Sequence, residues 1–346
     1  VNGPAGPNPP GSRIAPSAWE FWPRFLAFPL LAILLYPPFL LGWGGNHWSV
    51  RTAWVLLLTY CWFCLSGSFH EAVHGTLFRS VQANVFVGRI IGILCGVPYT
   101  AFRETHRRHH AYMNTAGDYE LYPYSDPAVP LNARRVFVWF DLLLAVITEP
   151  WVYCRIYTTR DPKLSAASRR AILFEMILGW MWFAAVVTTV VLVFRSRGWT
   201  IRDFDPVWIL PLVLSPVCNK ARKFVEHLGL TSTDPLLGTR TISGGQPLSR
   251  LLRYFNFDIA VHGPHHRYPK AMHQELAPRL KQYCYDHPET RVPVFHSYLS
   301  AAWDALPWLW KNPATGSPAS TSITATPSPT VPAAERVSGE HETPVW

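Results

Sequence analysis

Between Arg24 and Arg51 the sequence carries no charged residue, and the run FLAFPLLAILLYPPFLLGW inside that interval is about as long as a hydrocarbon layer is thick. A second run, TAWVLLLTYCWFCLSGSF, ends directly on His70. A third, MILGWMWFAAVVTTVVLVF, fills Met176 to Phe194, and a shorter one containing proline, PVWILPLVLSPVCN, fills Pro206 to Asn219. The apolar residues are therefore gathered into spans, and the expected fold is an all-α, integral membrane helical bundle with about four transmembrane helices. Ile90 to Phe102 is too short to cross, and Val136 to Trp151 carries Asp141 and Glu149, so both are expected at the membrane interface. The first run lacks the features of a cleaved leader and is read as a retained span.

If the spans form two hairpins, the segments after Phe69, from Arg155 to Arg170, and after Asn219 share one side. That side collects Arg103, Arg107, Arg108, Arg155, Arg160, Lys163, Arg169, Arg170, Lys220, Arg222 and Lys223, and is expected to be cytoplasmic. The opposite loops carry Arg51, Arg195, Arg197 and Arg202. A net charge of +9 then reads as attraction to anionic head groups, and 14% aromatic residues suit interfacial anchoring. No nucleic acid partner is needed to explain it, and no nucleic-acid module is recognisable. Cys61 and Cys64 lie within an apolar span, where packing is the plain role. The expected domains are a disordered segment, 1–18, a membrane-embedded domain, 19–311, and a disordered tail, 312–346, rich in Pro, Ser, Thr and Ala.

Nine of fourteen histidines fall in four short places: His70 and His74 in FHEAVHGTLF; His106, His109 and His110 in HRRHH; His227 in EHLGL; His262, His265 and His266 in HGPHHRYP. Spacings of three and four place each group on one helical face. Packing alone explains such repetition poorly, because buried imidazoles need partners. His47, His273, His287, His296 and His341 stand alone and are assigned no metal role.

His70-Glu71-Ala72-Val73-His74 also fits the H-E-x-x-H pattern of zinc metalloproteases. Nine imidazoles exceed what one zinc uses, so two metal ions are implied, and imidazole by itself does not choose between iron, copper and zinc. An intramembrane metalloprotease of the site-2 kind would bring an Asp-Gly ligand motif, and the chain has no Asp-Gly dipeptide. A metal transporter would place ionisable residues within the spans, and the three strongest spans contain none.

From about Trp19 to Leu309 the chain resembles the membrane fatty acid desaturase superfamily, on FHEAVHGTLF, HRRHH, EHLGL and HGPHHRYP in that order. The resemblance implies that His70, His74, His106, His109, His110, His227, His262, His265 and His266 bind two iron ions (Fe2+/Fe3+) in a cytosolic histidine-rich cap. It also implies O2 as co-substrate, with two electrons, to cleave an unactivated C–H bond. The leading expectation is an acyl-lipid desaturase. The alternative is a hydroxylase or ketolase acting on a carotenoid, alkane or sphingolipid, because the same ligand set serves both outcomes.

Neutral imidazoles leave the metal charge uncompensated, so nearby carboxylates are expected to orient the ligands. Glu71, Glu226 and Asp258 are candidates, with Glu104, Asp118 and Glu120 behind them, although the plainer reading of each is a solvated or structural charge. Lys223, one turn before His227, would not ligate iron, and Gly229 offers a helix stop just beyond. There is no His-Pro-Gly-Gly signature and no cysteine set for an iron–sulfur cluster, so the electron donor is expected to be external, a ferredoxin or a cytochrome b5.

Overall fold

A computed structural model describes residues 27–43, 45, 47–244 and 247–315. The expected N-terminal segment, 1–18, and the tail beyond Thr315 lie outside the described residues. The regular structure of the described residues is helical, apart from a two-residue parallel pairing of β1 (Thr241–Ile242) with β2 (Val294–Phe295).

The centre of the bundle is α2 (Trp48–His74), flanked by α1 (Ala27–Leu40), α3 (Val81–Cys95) and α8 (Leu210–His227). At 27 residues α2 is about 40 Å long. The longest helix, α7 (Ala166–Ser196), has 31 residues and buries only Ile172 and Glu175. Trp180, Met181, Trp182 and Phe183 on it are exposed, a surface that calls for lipid instead of water. By length and composition, α2 and α7 can each cross a membrane.

The other two expected spans are less regular. The described part of α1 has 14 residues and includes Pro37 and Pro38. The run from Pro206 opens with a 3-10 turn (Pro206–Trp208), and α8 then continues to His227, carrying Lys220 and Lys223 as buried residues. The two segments expected at the interface turn out to be bends. α3 meets α4 (Tyr99–Tyr112) at 102°, and α5 (Leu131–Leu143) meets α6 (Ala145–Thr158) at 115°. Counting each bent pair as one span raises the number of crossings to as many as four. The result is an all-α membrane bundle.

The first bend follows from the sequence. Gly96 takes φ +70°, a left-handed stop that L residues resist, and its N–H returns to Gly92 and Ile93 carbonyls. Pro98 then starts α4 without a side-chain cap. Glu175 of α7 supplies the missing acceptor: its carboxylate takes the Thr100 N–H at 2.7 Å and the Thr100 hydroxyl at 2.8 Å, and pairs with Arg89 at 2.8 Å. The lipid-facing helix thus fixes the start of the helix that carries HRRHH.

The polar end of the molecule is built by α9 (Pro247–Phe255), α10 (His262–Arg267), α11 (His273–Asp286), α12 (Tyr298–Ala305) and α13 (Trp308–Lys311). The chain stays packed past Lys311, where the tail was expected to begin. Ala314 accepts the Gly229 N–H at 2.8 Å, the Thr315 N–H reaches the Tyr124 carbonyl at 3.1 Å, and both residues are buried. A chain ending after Thr315 keeps both contacts. One ending after Lys311 loses two backbone hydrogen bonds and is expected to lose about 1–3 kcal/mol, read as a lower Tm in a detergent thermal scan.

Candidate metal centre

Each histidine cluster sits where a helix ends or turns. α2 stops at Gly75, φ +73°, immediately after His74, and Thr76 closes the turn through its N–H and hydroxyl to Glu71. His106, His109 and His110 form the last turns of α4, His227 is the last residue of α8, and His262, His265 and His266 occupy the short α10. The end of α8 is held by Arg240, which is fully buried. Its guanidinium donates to the carbonyls of Leu228 at 2.7 Å and Val225 at 3.2 Å and pairs with Asp304 at 2.7 Å, while its backbone N–H donates to the Glu226 carbonyl at 2.7 Å.

The nine histidines separate into two groups, five and four, each with its ligand-side atoms within 4.8 Å of one another. His70, His74, His106, His110 and His265 form one; His109, His227, His262 and His266 form the other. Helical rotation of 100° per residue explains the division. In HRRHH, His106 and His110 are one turn apart and go to the first group, while His109 points to the second. In HGPHH the assignment is exchanged: His262 and His266 go to the second group and His265 to the first. The stacked rings of His110 and His266, 4.2 Å between centroids, join the two groups.

The donor sets fit cations. In the first group, His106 Nε2 lies 2.9 Å from His74 Nε2 and 3.1 Å from His110 Nε2. In the second, His262 Nε2 lies 2.7 Å from His227 Nε2 and 3.1 Å from His266 Nε2. Imidazole nitrogens about 2.1 Å from one metal stand about 3 Å apart when mutually perpendicular. His70 Nε2 and His265 Nε2 are buried without a hydrogen-bond partner, which costs about 1–3 kcal/mol each unless an ion takes their lone pairs. Burial, followed by the fields of neighbouring charged or imidazole groups, holds His262, His265 and His266 well below the usual histidine range. That direction favours the neutral imidazole, the form that binds a metal.

Glu120 and Asp118 fix outer nitrogens. Glu120 Oε2 lies 2.7 Å from His106 Nδ1, and Asp118 Oδ2 lies 2.9 Å from His109 Nδ1. Each arrangement places Nε2 toward the interior. Burial works to raise the Glu120 carboxyl, but Lys223, His106 and His109 outweigh it and hold it well below the usual carboxylate range. Glu71 lies 3.3 Å from His70 Nδ1 and accepts from Thr76 at 2.6 Å, so it serves the turn after α2 as well as the imidazole. Glu226 Oε2 accepts from Arg222 at 2.6 Å and lies 3.5 Å from His262 Nε2, so it faces a histidine of another element and not its neighbour His227. Asp258 is half-buried in the turn before α10, at φ +51°, where its carbonyl accepts the Val261 N–H at 2.8 Å. Glu104 turns away to Arg103 and Arg107.

On the sequence, Asp118 and Glu120 stand behind Glu71 and Glu226, which adjoin clustered histidines, and behind Asp258. Sequence reasoning assigns no role to Arg240 or Tyr153. One signal was available: Asp141 and Glu149 lie in an apolar segment and Lys220 and Lys223 beside another, so each needed an opposite charge. Lys220 pairs with Asp141 at 3.1 Å, and Lys223 with Glu120 at 3.1 Å. Replacing Arg240 by Leu is expected to cost about 2–4 kcal/mol, because two carbonyls beside His227 lose their donor. The check is a lower Tm for Arg240→Leu, measured in detergent.

A comparison with curated proteins finds no match. Residues 46–298 match the fatty acid desaturase family, a stretch that covers well over half of the chain and contains all nine clustered histidines. Family, helical membrane architecture and paired histidine groups agree, and the chain belongs to the fatty acid desaturase family, oxidoreductases of the desaturase and hydroxylase type.

Proposed function

We propose that the protein is an O2-dependent di-iron desaturase that introduces a double bond into a long acyl chain. The observation that carries this reading is the division of nine buried or half-buried imidazoles into two convergent groups at one end of a lipid-embedded bundle. Iron at these groups would supply the oxygen activation needed to break an unactivated C–H bond. The overall conversion takes two hydrogens from adjacent methylenes, O2, two electrons and two protons, and gives the double bond and two waters.

The chain's own residues hold and shield the centre. His70, His74, His106, His110 and His265 hold one ion; His109, His227, His262 and His266 hold the other. Glu120 and Asp118 fix the tautomers of His106 and His109, so that Nε2 is the free donor. Glu71, Glu226 and Asp258 belong to the surrounding shell. Glu71 lies beside His70 and Glu226 beside His262, and Asp258 shapes the turn into α10. The exposed apolar length of α7 keeps the protein in the layer where long acyl chains reside. The histidine end carries Arg103, Arg107, Arg155 and Lys163, a distribution that supports a cytoplasmic active site. An external ferredoxin or cytochrome b5 would deliver the electrons.

Two experiments test the reading. Expressed in a host that lacks its own acyl desaturase, the protein is expected to add a double bond at one position of a long acyl chain, seen by mass spectrometry of extracted lipids. A hydroxyl or ketone in place of the double bond would assign the alternative reaction, and unchanged lipids would contradict the proposal. Purified protein is expected to bind two irons per chain, and His227→Ala only one, with turnover lost. Exposed His287, replaced by Ala, serves as the control with both irons retained, whereas His273 is buried and unsuitable for that purpose.

A further inference from the structure

The carboxylates around the two histidine groups are engaged in different ways. The second oxygen of Asp118 accepts two backbone N–H groups, from Glu120 at 3.1 Å and Leu121 at 3.2 Å. Glu71 takes the Thr76 hydroxyl. Glu120 and Glu226 instead each meet a cation delivered by α8, Lys223 and Arg222. Within six residues α8 therefore carries a metal-group histidine, His227, and a counter-charge for one carboxylate at each group.

Lys223 is the more tightly integrated of the two cations. It is 4% exposed, its Nζ is 3.1 Å from Glu120 Oε1 and 2.8 Å from the Tyr153 hydroxyl, and that hydroxyl is itself 3.1 Å from Glu120 Oε1. The other Glu120 oxygen is the one 2.7 Å from His106 Nδ1. Lysine, tyrosine, carboxylate and imidazole thus form one buried unit in which the Glu120 oxygens are divided between a cation and a histidine. Glu149 adds a more distant counter-charge, 3.7 Å from Lys223 Nζ.

We infer that Lys223 is a positioning residue of the metal centre, which fixes Glu120 on His106 and cancels its charge, and so sets the ferrous–ferric balance of the five-histidine group. The inference rests on the iron-binding reading above. A bare carboxylate on Nδ1 would push electron density onto the imidazole and favour ferric iron. The ammonium opposes this, both by neutralising Glu120 and by its own positive field in a medium of low dielectric. A lysine one turn before His227, unsuitable as a ligand, then has a place in the chemistry.

Mössbauer spectra of iron-loaded, nanodisc-embedded full chain, recorded at poised potentials, give the ferric fraction. Lys223→Met is expected to favour ferric over ferrous iron by about tenfold, a fall of about 59 mV for a one-electron step. Lys223→Arg is expected to restore the original balance, and Glu120→Gln to shift it in the opposite direction. A lysine that served packing alone would not produce opposite signs. Where Lys223→Met fails to insert, Lys223→Gln carries the same expectation, and Glu120→Gln reads the pair from its other side. An unchanged balance in the uncharged variants, or shifts of the same sign at Lys223 and Glu120, would overturn the inference. Failure of the unmutated protein to bind iron would instead overturn the reading on which it rests.

Discussion

Nine imidazoles are brought to one end of the bundle, and seven of them, His70, His106, His109, His227, His262, His265 and His266, are buried. Each brings a nitrogen that water no longer serves. Apolar packing gives no reason to gather them, and imidazole-to-imidazole hydrogen bonds cannot satisfy the set, since His70 Nε2 and His265 Nε2 find no partner. Two cations would satisfy the groups at once. Such a requirement would account for where the helices end, which neighbours are acidic and where compensating cations stand.

The scaffold answers it at the helix termini. Gly75 turns the chain away immediately after His74, Glu175 anchors the start of α4, and Arg240 fixes the end of α8 beside His227. None of the three side chains or turns is a donor to the centre. Each holds the backbone from which a donor hangs, and a misplacement of about 1 Å there would spread the nitrogens apart. The carboxylates then orient the rings, and α8 delivers Lys223 and Arg222 to two of those carboxylates.

Much of this was legible in the chain. The uncharged runs indicate a membrane bundle, and the gathering of histidines in four short places picks out the nine residues that the fold brings together. The division into five and four was not legible. It depends on how α4 and α10 approach each other, which local spacing does not specify. The approach of elements across the fold also sets the partners of the carboxylates: Glu226 is adjacent to His227 in sequence but faces His262, while Glu120 returns from a loop to His106. The bends at Gly96 and Leu144 join two short apolar segments to their neighbours as sharply bent helix pairs, where composition alone suggests helices at the interface.

The central claim is that two ions occupy two defined histidine groups. Anomalous X-ray scattering at the iron edge, from crystals of iron-loaded protein, tests it most directly. The account predicts two peaks, one enclosed by His70, His74, His106, His110 and His265 and the other by His109, His227, His262 and His266. A single peak, or iron held outside these groups, would contradict it.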